Sequence, residues 1–120
     1  MKEGDVVIVA MPQADGSVKN RPTIILREMP PFQDLLVCGV SSQLRQEVKG
    51  FDEVILTTAS DFWSSGLIGN SLIRLGFLTV VPQKQIVGVI GSISSARHQE
   101  LLRKLTNYLK KREVENETSR

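Results

Sequence analysis

The 120-residue chain contains one cysteine, one histidine, one tryptophan and one tyrosine, and aromatic residues make up only 5% of it. With Cys38 alone, no internal disulfide can form, and a reducing compartment is expected. Cys38 lies in an apolar run and reads as a buried small hydrophobe, not a reactive thiol. One cysteine and one histidine, Cys38 and His98, cannot supply a structural zinc set or a convincing Cys–His nucleophile pair. The acids Asp5, Asp15, Asp34, Asp52, Glu53 and Asp61 show no metal-ligand spacing, so neither a metal nor another cofactor is expected. The apolar runs, such as Val6 to Met11, are too short to cross a bilayer. The N-terminal Met1-Lys2-Glu3-Gly4-Asp5 has no apolar signal region, so a cytoplasmic protein without membrane contact is expected. A strong field of one sign is also missing. The net charge is +2, and residues 97–120 hold seven basic side chains against four acidic ones, which leaves the rest of the chain slightly acidic. Any nucleic acid must therefore be held in a local groove, not by a global basic surface.

The remaining composition is that of an ordinary globular domain, with 41% hydrophobic and 23% charged residues. A chain of this size buries roughly two thirds of its unfolded surface, enough for one core. Residues 4–11 (GDVVIVAM) are β-branched and almost continuously apolar, as in a strand covered on both faces. Residues 12–21 form a turn-rich loop, and strands follow at 22–27 and 34–41. Further strands are predicted at 53–58, at 71–81 with an interruption near Gly76, and at 85–91. Residues 60–70 form a Gly/Ser-rich loop with Phe62 and Trp63 packed beneath it. Leu101, Leu102, Leu105, Tyr108 and Leu109 recur at three- and four-residue spacing, which predicts a helix over 95–112 capped by Ser94 or Ser95. His98 is expected near the helix start, facing solvent. Six short strands and one helix predict a mainly β (α+β) domain, a small barrel with a C-terminal helix, over residues 1–112. Residues 113–120 are expected to form a disordered polar tail. The doubly apolar first strand also suggests a two-fold interface to cover it.

Three places could carry chemistry. Arg21 precedes Pro22, which holds it in extended backbone at the junction of loop and strand. A guanidinium fixed there grips phosphate bidentately, or is simply a solvated strand-end arginine. Ser41 and Ser42 end the third strand on opposite faces, and either hydroxyl could donate to an oxyanion or bond within its own turn. Arg74 sits in an apolar strand, on a solvated face or in a groove.

The order of these features resembles the MazF/PemK/Kid family of toxin endoribonucleases. It is carried by Gly4-Asp5-Val6-Val7, Arg21-Pro22, Val40-Ser41-Ser42-Gln43, Ser65-Gly66-Leu67, Ser71 and Arg74. The resemblance runs from about Gly4 to about Leu109. It implies an SH3-like barrel acting as a homodimer, cleavage of single-stranded RNA without a metal, and a cognate antitoxin protein that fills the RNA groove. It also implies Arg21 and Ser41 as catalytic residues and Gln43 and Arg74 as RNA contacts; Lys19, Asn20 and Ser42, their neighbours in the sequence, are expected to contact RNA as well. Three departures stand out: Ser41 replaces a threonine, Gly76 stands where Kid-type members carry an aspartate, and no arginine lies around Leu78-Thr79. Asp15 on the first loop could serve as the base, although nothing in the sequence requires it. A non-catalytic RNA- or protein-binding barrel of the same fold is the alternative.

Overall fold

A computed structural model describes residues 1–12 and 14–118, with side chains up to Lys111. The strands are β1 (Asp5–Pro12), β2 (Val18–Met29), β3 (Asp34–Ser41), β4 (Glu53–Ile55), β5 (Ser71–Val81) and β6 (Ile86–Ser92). A short helix, α1 (Phe62–Ser65), precedes β5, and a long one, α2 (Ser95–Thr118), follows β6. The strands form one sheet in the order β4-β5-β3-β2-β1-β6, and every neighbouring pair is antiparallel. The mainly β class with a C-terminal helix therefore holds. The hydrogen-bonded sheet is barrel-like but does not close between β4 and β6. Its two edges are blunted in different ways, β4 by being only three residues long and β6 by two register shifts against β1.

The sheet buries side chains on both faces. Val6, Ile24, Leu26, Cys38, Val40 and Ile73 pack under Leu101 and Leu105 of α2. Val7, Val9, Ile25, Leu35, Val37 and Val81 fill the other face. Period-two alternation along β1, β2 and β3 sorts the residues between these layers. It explains why β1 has no polar gap, and it removes one reason for a dimer: both faces of β1 are covered within a single chain. Burial pushes the Cys38 thiol up to about 12, so it remains an unreactive core group.

Several boundaries and burials differ from the sequence reading. The first loop is shorter, because β2 begins at Val18 and Lys19 and Asn20 already pair with Met11 and Ala10. Asp15 and Ser17 brace the hairpin tip there, the Asp15 carboxylate accepting from the Ser17 N–H at 2.9 Å and its hydroxyl at 2.6 Å. The helix α2 runs to Thr118, past the Arg112 end suggested by its apolar stripe. Lys, Arg and Glu continue a helix without needing burial. Residues 119 and 120 of the expected tail lie outside the described residues. Ser94 caps α2, its hydroxyl accepting from the Arg97 N–H at 3.1 Å.

His98 is not on the solvent side. It is 8% exposed, and its Nε2–H donates to the Leu26 carbonyl at 2.8 Å, tying α2 to the C-terminal half of β2. Phe62 is buried as expected, whereas Trp63 stands 85% exposed, since a four-residue helix can turn only one of two adjacent rings inward.

An ion-pair cluster fixes α2 against β4 and α1. Arg97 grips Asp61 through Nε at 2.8 Å and Nη2 at 3.1 Å, and reaches Glu53 through Nη1 at 2.9 Å. Lys104, about two helical turns further along the same face, lies 3.3 Å from Glu53. Burial alone would raise the Asp61 carboxyl, but the Arg97 bonds and the Ser94 N–H outweigh it and hold the group below its ordinary 3.8. A folded-state value below the unfolded one stabilises the fold above pH 4 and is lost as acid protonates the folded carboxylate. Arg97→Ala is expected to cost about 2–3 kcal/mol at neutral pH, because it strands a largely buried Asp61. Asp61→Asn should flatten the fall in stability below pH 4. Urea melts across pH 2.5–7 check both; equal slopes for wild type and Asp61→Asn would contradict the assignment.

Candidate active site

The candidate site is built where β2 leaves β3. The β2–β3 ladder starts at Thr23 opposite Gly39, so Pro22 sits where β2 has only β1 as a neighbour and its missing N–H leaves no bond unmade. Continuing that register by two residues sets Arg21 across from Ser41. On the far side of β3, Gly39 pairs with Arg74 of β5. Arg21, Ser41, Gly39 and Arg74 thus belong to one face of three adjacent strands, beyond the buried layer of Val9, Ile25 and Val37.

That face opens into a cleft of about 650 Å³ whose lining includes Arg21, Ser41, Gln43 and Arg74. Its floor is apolar, with Val9, Val40 and Val81, and its rim carries Gln46, Thr79 and Gln85. Two arginines line it and, among the described residues, no carboxylate or imidazole does. An anion entering the cleft meets two guanidinium groups beside low-dielectric walls, which strengthens each charge-assisted bond.

Alternation decides between the two serines: Ser41 lines the cleft and Ser42 does not. The Ser41 Oγ accepts from the Gln43 N–H at 3.0 Å. This is the local turn bond that serines often make, and it leaves the hydroxyl hydrogen as a donor. Lys19 and Asn20 are exposed on β2 and Ser42 is exposed just past β3, and none of the three lines the cleft. Asp15 is also outside it, and its two Ser17 bonds hold its carboxyl below the ordinary value, the wrong direction for a base near neutral pH.

The break expected near Gly76 is a bulge. Cys38 pairs with Leu78 and the next residue, Gly39, pairs with Arg74, so Leu75, Gly76 and Phe77 are extra in β5. Buried Asp52 anchors the bulge. Its carboxylate accepts from the Leu75 N–H at 3.0 Å and the Val48 N–H at 2.9 Å. Residue types alone gave no sign of Asp52 or Phe77; the signal available was the glycine inside an apolar strand, which marks a backbone irregularity without saying which neighbour it exposes.

With this geometry in hand, comparison with known proteins is decisive for the family. The family described as PemK-like, MazF-like toxin of type II toxin–antitoxin system matches residues 2–109. The chain belongs to this family. Among solved structures, the PemK/MazF-like chain is similar to the Mycobacterium tuberculosis toxin MazF-mt6, with 18% identity and a TM-score of 0.65 over 88% of this chain and 96% of that one. At that identity the likeness speaks for the PemK/MazF fold alone. No curated protein gives a significant match.

Proposed function

We propose that this PemK/MazF-like toxin is an endoribonuclease that cuts single-stranded RNA without a metal. The observation that carries the reading is the meeting of Arg21, Ser41 and Arg74 in one cleft free of carboxylates among the described residues. A 2′-hydroxyl of the RNA attacks the adjacent phosphorus in line and gives up its proton to water, since no carboxylate or imidazole lines the cleft among the described residues. The P–O5′ bond breaks, leaving a 2′,3′-cyclic phosphate and a 5′-hydroxyl. Such a reaction depends chiefly on placement and on stabilising the extra negative charge of the phosphorane.

Arg21 neutralises that charge and gives a proton to the departing 5′-oxygen, recovering it from water. Ser41 donates its remaining hydrogen to a non-bridging oxygen. Arg74 holds a flanking phosphate and Gln43 a neighbouring base or sugar. Lys19, Asn20 and Ser42, outside the cleft, serve the strand on either side. The toxin acts in the cytoplasm, and its antitoxin competes with RNA for the cleft. A homodimer is supported by edge strand β6, which exposes Val87, Val89 and Ile90, and by Trp63 on the helix packed against it. Elution at twice the monomer mass, shifted toward monomer by Val89→Asp, is the expected chromatographic result; monomer elution of the wild type would remove the dimer.

Among the described residues no carboxylate or imidazole base lines the cleft, which favours a second reading, a barrel that binds RNA without cutting it. Incubation of the protein with mixed-sequence RNA in EDTA separates the two. Discrete EDTA-resistant fragments with 5′-hydroxyl ends are expected. Retarded but uncut RNA would establish the binder instead.

A further inference from the structure

The bulge in β5 places an aromatic ring where an RNA-cutting cleft has no structural need of one. Phe77 belongs to an apolar strand of a chain with few aromatics, yet it is 41% exposed and lines the same cleft as Arg21 and Ser41. Its position is prepared from two sides. Gly39 lies under the ring, so close that a Cβ there would stand 3.2 Å from the phenyl carbons; the missing side chain lets the ring lie against β3. Asp52 holds the backbone of the bulge through the Leu75 N–H. Among the described residues, the charged group over the ring is Arg74, its guanidinium carbon 5.8 Å from the ring centre. That is the outer limit of a useful cation–π contact, so the exposed ring surface can be given up to another flat group at little cost.

Resting on the proposed RNA cleavage, we infer that Phe77 is the stacking platform for one unpaired base of the RNA, next to the phosphate held by Arg74. A flat ring in a cleft with two guanidinium groups and no carboxylate among the described residues matches a single-stranded nucleotide in both its parts. The anionic linkage takes the arginines and the base takes the ring. A duplex offers no free base face to stack, so the ring also selects for unpaired RNA. The apolar floor below it disfavours a purely polar ligand such as free phosphate.

The test uses the wild-type protein and oligonucleotides of 2′-O-methyl RNA, which cannot be cut by the proposed chemistry, together with an abasic oligomer of the same backbone. Wild type is expected to bind the base-bearing oligomer at least about tenfold more tightly than the abasic one, the scale of one base–aromatic stack. Phe77→Leu keeps an apolar side chain and should bring that ratio to within about threefold. Phe77→Trp in a Trp63→Phe background should keep the ratio and show indole quenching with the base-bearing oligomer but not with the abasic one. A ratio unchanged in Phe77→Leu, or an unquenched indole with bound RNA, overturns the stacking role and leaves the cleavage reading standing. Failure of wild type to bind any single-stranded oligomer overturns both.

Discussion

Arg21→Ala is expected to slow RNA cleavage by about a hundred- to a thousand-fold, the usual cost of removing one fixed donor aimed at developing charge. The expectation follows from where the backbone puts this side chain. Pro22 fixes the extended strand behind it, and the ladder with β1 holds Arg21 opposite Val9. The guanidinium therefore starts from a prepared position beside Ser41 in a cleft with no competing carboxylate among the described residues. Arg21→Lys keeps the charge but loses the planar fork, and most of the rate should go with it. Ser41→Ala should cost less, because one neutral donor is lost. Both arginine variants should melt within about 1 kcal/mol of wild type, since neither removes a core group. Single-turnover cleavage of a mapped RNA site measures the rates. Undiminished cutting by Arg21→Ala would remove the central assignment.

Gly66→Ala is expected to have the largest effect on stability, a loss of about 2–5 kcal/mol. Gly66 ends α1 in the left-handed region, with φ of 74°. A side chain there costs about 1–2 kcal/mol by itself. A Cβ would also stand 2.1 Å from the Ile90 carbonyl oxygen, a backbone atom that no rotamer change can move. Relief requires β6 and α1 to separate, and overpacking of this kind typically costs about 1–3 kcal/mol more. Gly91 makes the reciprocal approach, 2.2 Å from a Cβ to the Ser64 carbonyl oxygen. Set against a total stability of about 5–15 kcal/mol, a change of this size leaves a marginal or unfolded protein. Denaturant unfolding of the variant checks it, and a loss below about 1 kcal/mol would mean that the turn and β6 are not in contact as described.

The elements, and the sheet face each strand residue takes, were legible because they depend on local pattern. The unbroken apolar run Val6–Met11 announced a strand covered twice, and alternation along Leu35–Ser42 put Ser41 and Ser42 on opposite faces. The glycine in the 71–81 strand marked the bulge. What could not be read there was the sense of each local feature. Nothing in Phe62-Trp63 says which ring turns inward. Nothing around His98 says that the Leu26 carbonyl, 72 residues earlier, waits for its N–H. Arg97 looked like one more helix cation until its partners Asp61 and Glu53 came from two distant segments.

By itself the sequence determined a mainly β chain with a C-terminal helix, an arginine locked in extended backbone ahead of a proline, and a hydroxyl at the end of a strand. Those follow from dihedral preferences and from the periods of two and 3.6 that sort side chains into faces. The tertiary structure alone decided that Arg21, Ser41 and Arg74 share a cleft while Lys19, Asn20 and Ser42 lie outside it, and that Phe77 stands exposed in that cleft. Strand order and register across β2, β3 and β5 set those distances. Register is a collective result of packing the whole sheet, and no short stretch of sequence contains it.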